Sequence, residues 1–126
     1  MIIIPGEDGE MAVLPNHAPL LSNLRFGVVE VRTGEEELFF TVAGGVVEVL
    51  PNIVTILADA AENVEEIDIS RAEEARNRAE QMLREGPPVD EDVYERIERS
   101  LRKSQLRLDA AQRYRRSGRT SIHGQG

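Results

Sequence analysis

Ile67-Asp68-Ile69-Ser70-Arg71-Ala72 divides the chain into two kinds of sequence. Before it, apolar residues come in short β-branched runs broken by Gly, Pro and Asn. After it, they recur at helical spacing among Ala, Glu and Arg. The stretch itself reads as a helix start: Asp68 or Ser70 can be the N-cap, and Ser70 with Glu73 has the form of a capping box. The boundary therefore predicts an α+β chain. An N-terminal antiparallel β-sandwich over residues 1–66 is followed by a C-terminal antiparallel two-helix hairpin over 67–116 and a flexible tail over 117–126.

Upstream of the boundary, candidate strands fall at 1–4, 11–14, 27–32, 37–42, 46–50, 53–58 and 64–67, the spacing expected of two packed antiparallel sheets. Thr33-Gly34-Glu35-Glu36 reads as a hairpin loop, and Gly44-Gly45 and Pro51-Asn52 read as punctuation between strands. The first strand starts at the first residue, and so short a β module predicts a further strand or two upstream. Downstream, Ala72, Ala75, Ala79, Met82 and Leu83 line one face of a helix over about 70–84, closed by Gly86 and Pro87-Pro88. Asp90 then caps a second helix. Its inner face is Val93, Ile97, Leu101, Ser104, Leu108 and Ala111, and its far end carries Arg113, Arg115 and Arg116.

At 126 residues, 40% hydrophobic and 30% charged, the chain has a modest core and no apolar run long enough to span a membrane. Residues 1–4 are apolar but are closed at once by Pro5-Gly6, so no signal peptide is read there. The absence of cysteine excludes disulfides, zinc–thiolate sites and thiol catalysis. The net charge of -8 conceals an asymmetry. Residues 1–66 carry twelve acids against Arg25 and Arg32 (net −10), and residues 67–126 carry thirteen bases against eleven acids (net +2). An acidic sandwich is a poor nucleic-acid binder, and the basic end lacks aromatics for stacking on bases. No P-loop occurs, since Gly44-Gly45 lacks a following Lys, and no metal-ligand cluster or nucleophile–base pair is recognisable.

Gly9-Glu10-Met11-Ala12-Val13-Leu14-Pro15-Asn16-His17-Ala18-Pro19-Leu20 resembles the G-E-x-G-x-L-P-x-H-A-P-L signature of the epsilon subunits of F-type ATP synthases. Ala12 stands where that signature has Gly. Val42-Ala43-Gly44-Gly45-Val46-Val47-Glu48-Val49 is similar to the family's second signature, Ile53 to Asp59 continues it, and Ile67 to Ala72 matches its I/L-D-x-x-R-A hinge. The resemblance runs from Ile2 to about Arg113. It implies a non-catalytic subunit of the central stalk (rotor), whose sandwich joins the gamma subunit to the c-ring and whose hairpin can reach the alpha/beta catalytic head and inhibit ATP hydrolysis. It also implies a peripheral place on the cytoplasmic face of the plasma membrane, or on a thylakoid or organellar membrane, without direct membrane insertion. Family members usually begin with a strand upstream of Ile2. The reading from another class is a stand-alone ATP-sensing or ligand-binding β-sandwich module, which would not co-purify with gamma.

Each site residue carries a plain reading beside the one the resemblance implies. His17, in a Pro-flanked loop, reads as a turn residue bonded to backbone; by resemblance, Asp8, Glu10 and His17 face the polar loops of the c-ring. Asp68 and Arg71 read as an N-cap and a solvated or ion-paired helix residue. By resemblance to bacterial members that bind regulatory ATP, Ile67 and Asp68 would address adenine and Arg71 the phosphates, with Ala72, Glu62, Lys103 and Arg107 completing the pocket. Lys103 replaces an Arg of those members and loses its bidentate fork. Arg96, Arg99, Lys103 and Arg107 form a stripe that reads as a solvated face offset by Glu95 and Glu98, or, by resemblance, as an electrostatic clamp on an acidic helix of the catalytic subunits.

Overall fold

The computed structural model of the chain describes residues 1–16, 18–86 and 90–115, which form two compact units, Met1–Glu65 and the residues from Glu66 onward. The expectations for His17, Pro87-Pro88, Arg116 and the tail 117–126 lie outside the described residues.

The first unit holds six strands: β1 (Ile2–Gly6), β2 (Gly9–Val13), β3 (Leu20–Arg32), β4 (Glu37–Leu50), β5 (Ile53–Ala58) and β6 (Ala61–Asn63). All pairings are antiparallel, in the order β2-β1-β3-β4-β5 with β6 also on β4. The expected antiparallel sandwich forms, and its strands make one hydrogen-bonded sheet that runs through β3 and β4. Both halves of these long strands feed one core, Leu24 and Val47 from one half and Val29 and Val42 from the other, together with Ile4, Val13 and Val49. Each such side chain taken fully out of water contributes about 1.5–3 kcal/mol.

Three corrections concern strand limits. β3 starts at Leu20 rather than Gly27, pairing without a break from Leu20↔Val49 to Arg32↔Glu37. Ser22 and Asn23 are weak strand formers, but ladder pairing and the inward alternation of Leu20, Ser22 and Leu24 override propensity. The glycine pair does not separate two strands either. Gly44 and Gly45 lie inside a continuous β4 with φ of 90° and 132°. A Cβ on Gly45 would come within 2.7 Å of the Ala58 Cα, so only glycine permits both that backbone and that approach. Opposite the pair, Ala43 donates to the Ala60 carbonyl at 3.0 Å, and Asp59 donates to the Gly44 carbonyl at 3.1 Å. β5 and β6 therefore run along β4 in one register, interrupted only at this bend. The expected strand over 64–67 is instead a 3₁₀ turn, Val64–Glu66.

The second unit is a helical hairpin of α1 (Ile69–Arg84) and α2 (Glu91–Tyr114). Asp68, extended at φ −84° and ψ 101°, is the N-cap of α1, and its Oδ1 accepts from the Arg71 amide at 3.1 Å. Ser70 is already inside the first turn, so the alternative capping box does not form. Gly86, at φ 114°, closes α1 by donating to the Leu83 carbonyl at 3.4 Å. Asp90 caps α2, accepting from the Asp92 amide at 2.8 Å. The expected inner faces hold, with Ala72 and Ala79 buried on α1 and Ser104, Ala110 and Ala111 on α2. Met82 is the exception at 45% exposed. Ser104 satisfies its hydroxyl within α2, donating to the Ser100 carbonyl at 2.9 Å, so these small residues let the two backbones approach at no polar cost.

Candidate docking and regulatory surfaces

The pleat of β3, β4 and β5 sends Val47, Val49 and Leu24 inward, and it sends their neighbours outward. The register lines up Leu21, Glu48 and Thr55 in one outward row and Asn23, Val46 and Leu57 in the next, with Leu50 beside Ile53 at the hairpin end. Leu21 is 70%, Leu57 71% and Ile53 59% exposed, and Val46 and Leu50 exceed a third. Five large apolar residues thus share one wet face of a unit that carries eleven acids against two bases, nine net negative charges. Such a patch marks an interaction surface. At its Leu50–Ile53 end it meets a groove of about 270 Å³, also lined by Met1, Val13, Leu14 and Val54.

An acidic turn lies at the other end of β1 and β2. Glu7 and Asp8 form the two-residue connection, and Asn23 Nδ2 donates to Glu7 Oε2 at 2.7 Å, tying the turn to β3. Asp8 and Glu10 are both exposed, Glu10 opposite Pro5 on β2. Glu7 is absent from the residues singled out by sequence, and the apolar face was missed because Leu20–Phe26 was not read as strand. The signal was present in the alternation of Leu21, Asn23 and Arg25 with Leu20, Ser22 and Leu24.

The hairpin unit gathers Ile67, Asp68, Arg71 and Ala72 where α1 begins. Ile67 is 3% and Ala72 0% exposed, while Asp68 and Arg71 are exposed. The Asp68 carboxylate caps the helix as the plain reading had it, leaving the Arg71 guanidinium at the surface. Glu62 belongs to the sheet unit, where β6 places it opposite Thr41, half-buried. On α2, Arg96, Arg99 and Lys103 are exposed and Arg107 is half-buried. Tyr94 donates its hydroxyl to Glu98 Oε2 at 3.2 Å, and the charge of Glu98, aided by that hydrogen bond, raises the tyrosine's pKa above its ordinary value. Arg115, which the sequence reading counted only as a dipole partner, reaches the start of the hairpin, donating from Nη2 to the Ile67 carbonyl at 2.6 Å. Among the described residues no group of three or more His, Cys, Asp or Glu is placed to hold a metal ion, and no helix is long and apolar enough to cross a membrane.

Comparison with known proteins divides the chain at almost the same point as its contacts do. Residues 1–64 match the family model described as the ATP synthase delta/epsilon chain beta-sandwich domain, and residues 65–112 match that of the long alpha-helix domain. The ATP synthase epsilon chain of Dehalococcoides mccartyi is 43% identical over 116 residues, covering 92% of this chain and 82% of that one. The epsilon chain of Moorella thermoacetica is 50% identical over 111 residues, 87% of this chain and 81% of the relative. Among solved structures, a chain of the Euglena gracilis mitochondrial ATP synthase, seen by cryo-EM with OSCP, F1 and c-ring, superposes with a TM-score of 0.72. It is 29% identical, over 88% of this chain and 68% of that chain.

Proposed function

The chain belongs to the epsilon family of ATP synthase subunits, and on that premise we propose that it is a rotor-stalk subunit without catalytic residues of its own. Its sheet unit docks on gamma and the c-ring, and its helices restrain ATP hydrolysis by the alpha/beta head. The observation that carries the docking half is the outward apolar face of Leu21, Val46, Leu50, Ile53 and Leu57, which needs a partner to leave water. The exposed acids Asp8 and Glu10 on the β1–β2 hairpin are the complementary contact to polar loops of the c-ring, which by the resemblance His17 also faces. The subunit works as a peripheral component on the membrane face that carries the catalytic head.

Support for the restraining half comes from α2, where exposed Arg96, Arg99 and Lys103, with Arg107, offer an electrostatic face to an acidic helix. Regulatory ATP fits the same unit by charge. Arg71, Lys103 and Arg107 are the cations that would hold phosphates, beside Ile67, Asp68 and Ala72 at the start of α1. A direct test adds the purified chain to an ATP synthase preparation depleted of epsilon. The proposal requires co-elution with gamma and a fall in hydrolysis rate that weakens as salt rises or as Arg96, Arg99 and Lys103 become Gln. A chain that stays monomeric, leaves hydrolysis untouched and still gives heat with ATP would instead be the free-standing nucleotide-sensing module.

A further inference from the structure

We propose that Arg115 is a clasp that holds the open end of the helical hairpin shut against the start of α1. The connection between the helices, over 86–90, ties only one end of this antiparallel pair. At the other end no loop joins α1 to α2, so noncovalent contacts keep it closed. Buried on this end of the unit are Ile67 and the small side chains of Ala72, Ala110 and Ala111. Arg115 adds a different kind of contact. It is the C-cap of α2, its amide donating to the Ala111 carbonyl at 3.3 Å, and its extended backbone at ψ 115° turns the chain out of the helix. Its guanidinium reaches back 48 residues to the Ile67 carbonyl.

That carbonyl lies outside the helical ladder, because the first bond of α1 is from the Ala72 amide to the Asp68 carbonyl. Ile67 is buried, and a carbonyl in such surroundings needs a donor from elsewhere. A charged guanidinium supplies a stronger bond than a neutral group would. The clasp therefore closes on the residue just before the N-cap of α1. Neither Lys103 nor Arg107 can substitute: Arg107 lies eight residues back along α2, about 12 Å at the helical rise.

The chain has no cysteine, which makes the test direct. Spin labels on Ser70→Cys and Gln112→Cys, both exposed positions at the clasped end, report its separation in the full-length chain by double electron–electron resonance. R115A should raise the long-distance population by about ten- to a hundredfold, the equilibrium effect of losing one charged hydrogen bond. R115K, which keeps charge and reach, should fall between R115A and the unmodified residue, and R84A at the far end of α1 should change nothing. An R115A distance distribution identical to the parent's would overturn the proposal. If R115A lost helix content by circular dichroism, R115K would decide, and a melted R115K would overturn the clasp as well.

Discussion

Val46 and Leu57 stand directly opposite one another across the β4–β5 pair, and both point away from the core, Leu57 with 71% of its surface in water. A cross-strand pair of this kind ordinarily helps to hold a sheet together, yet here most of the leucine contributes nothing to the folded chain. Replacing Leu57 by Lys should shift the stability of the isolated subunit by no more than about 0.5 kcal/mol. Chemical denaturation of the two proteins checks this, and a larger loss would mean that the residue serves the fold.

Gly45 is the opposite case. Its φ of 132° and the 2.7 Å approach that any Cβ would make to Ala58 leave no room for a side chain. Gly45→Ala should therefore cost about 2–4 kcal/mol, from backbone strain together with displacement of β5. Gly34→Ala is the control. It sits in the open β3–β4 loop with nothing near its Cβ position and should change stability by less than about 0.5 kcal/mol. The two midpoints in urea, compared at equal slope, give the answer.

Asp68 caps α1 through a single side-chain bond to the Arg71 amide. Asp68→Ala should remove about 1 kcal/mol of helix stability, and Asp68→Asn, which keeps an acceptor, much less. Hydrogen exchange of the first-turn amides is the measurement, with faster exchange expected in the alanine variant alone.

Tyr94 keeps its proton to higher pH than an ordinary tyrosine, because ionising it would set a second negative charge beside Glu98 and lose the hydroxyl's hydrogen bond. A folded-state pKa above the unfolded value of 10.0 contributes stability that is fully present below that value. The contribution disappears as pH climbs through the folded-state pKa. Ultraviolet titration should show E98Q lowering the upper end of the tyrosine ionisation curve. An unchanged curve in E98Q would contradict the assignment.

Sequence alone carried the change from strand to helix at Ile67–Ala72, both helices, the cap at Asp90 and the Gly86 stop, because these depend on local periodicity and end chemistry; it left Asp68 and Ser70 as alternative caps of α1. It missed what depends on pairing at a distance. The glycine pair looked like a turn because a bend inside a continuous strand uses the same residues. Leu20–Phe26 looked like loop because Ser22 and Asn23 are poor strand formers until β4 pairs with them. The outward apolar face could not be seen until that register was known, and Arg115 could not be tied to Ile67 without the antiparallel return of α2. Charge patterns, by contrast, are visible in the letters: of the basic stripe on α2, Arg96, Arg99 and Lys103 are exposed and Arg107 is half-buried.

Affinity for gamma is the measurement closest to the central claim. Titrating purified gamma with the intact chain and with a Leu21→Glu/Leu57→Glu variant, by calorimetry at physiological salt, compares the apolar face with and without two buried charges. The account predicts binding at least about tenfold weaker for the variant, with unchanged circular dichroism. Equal affinity from an equally folded variant would contradict it, since the face would then have no part in docking.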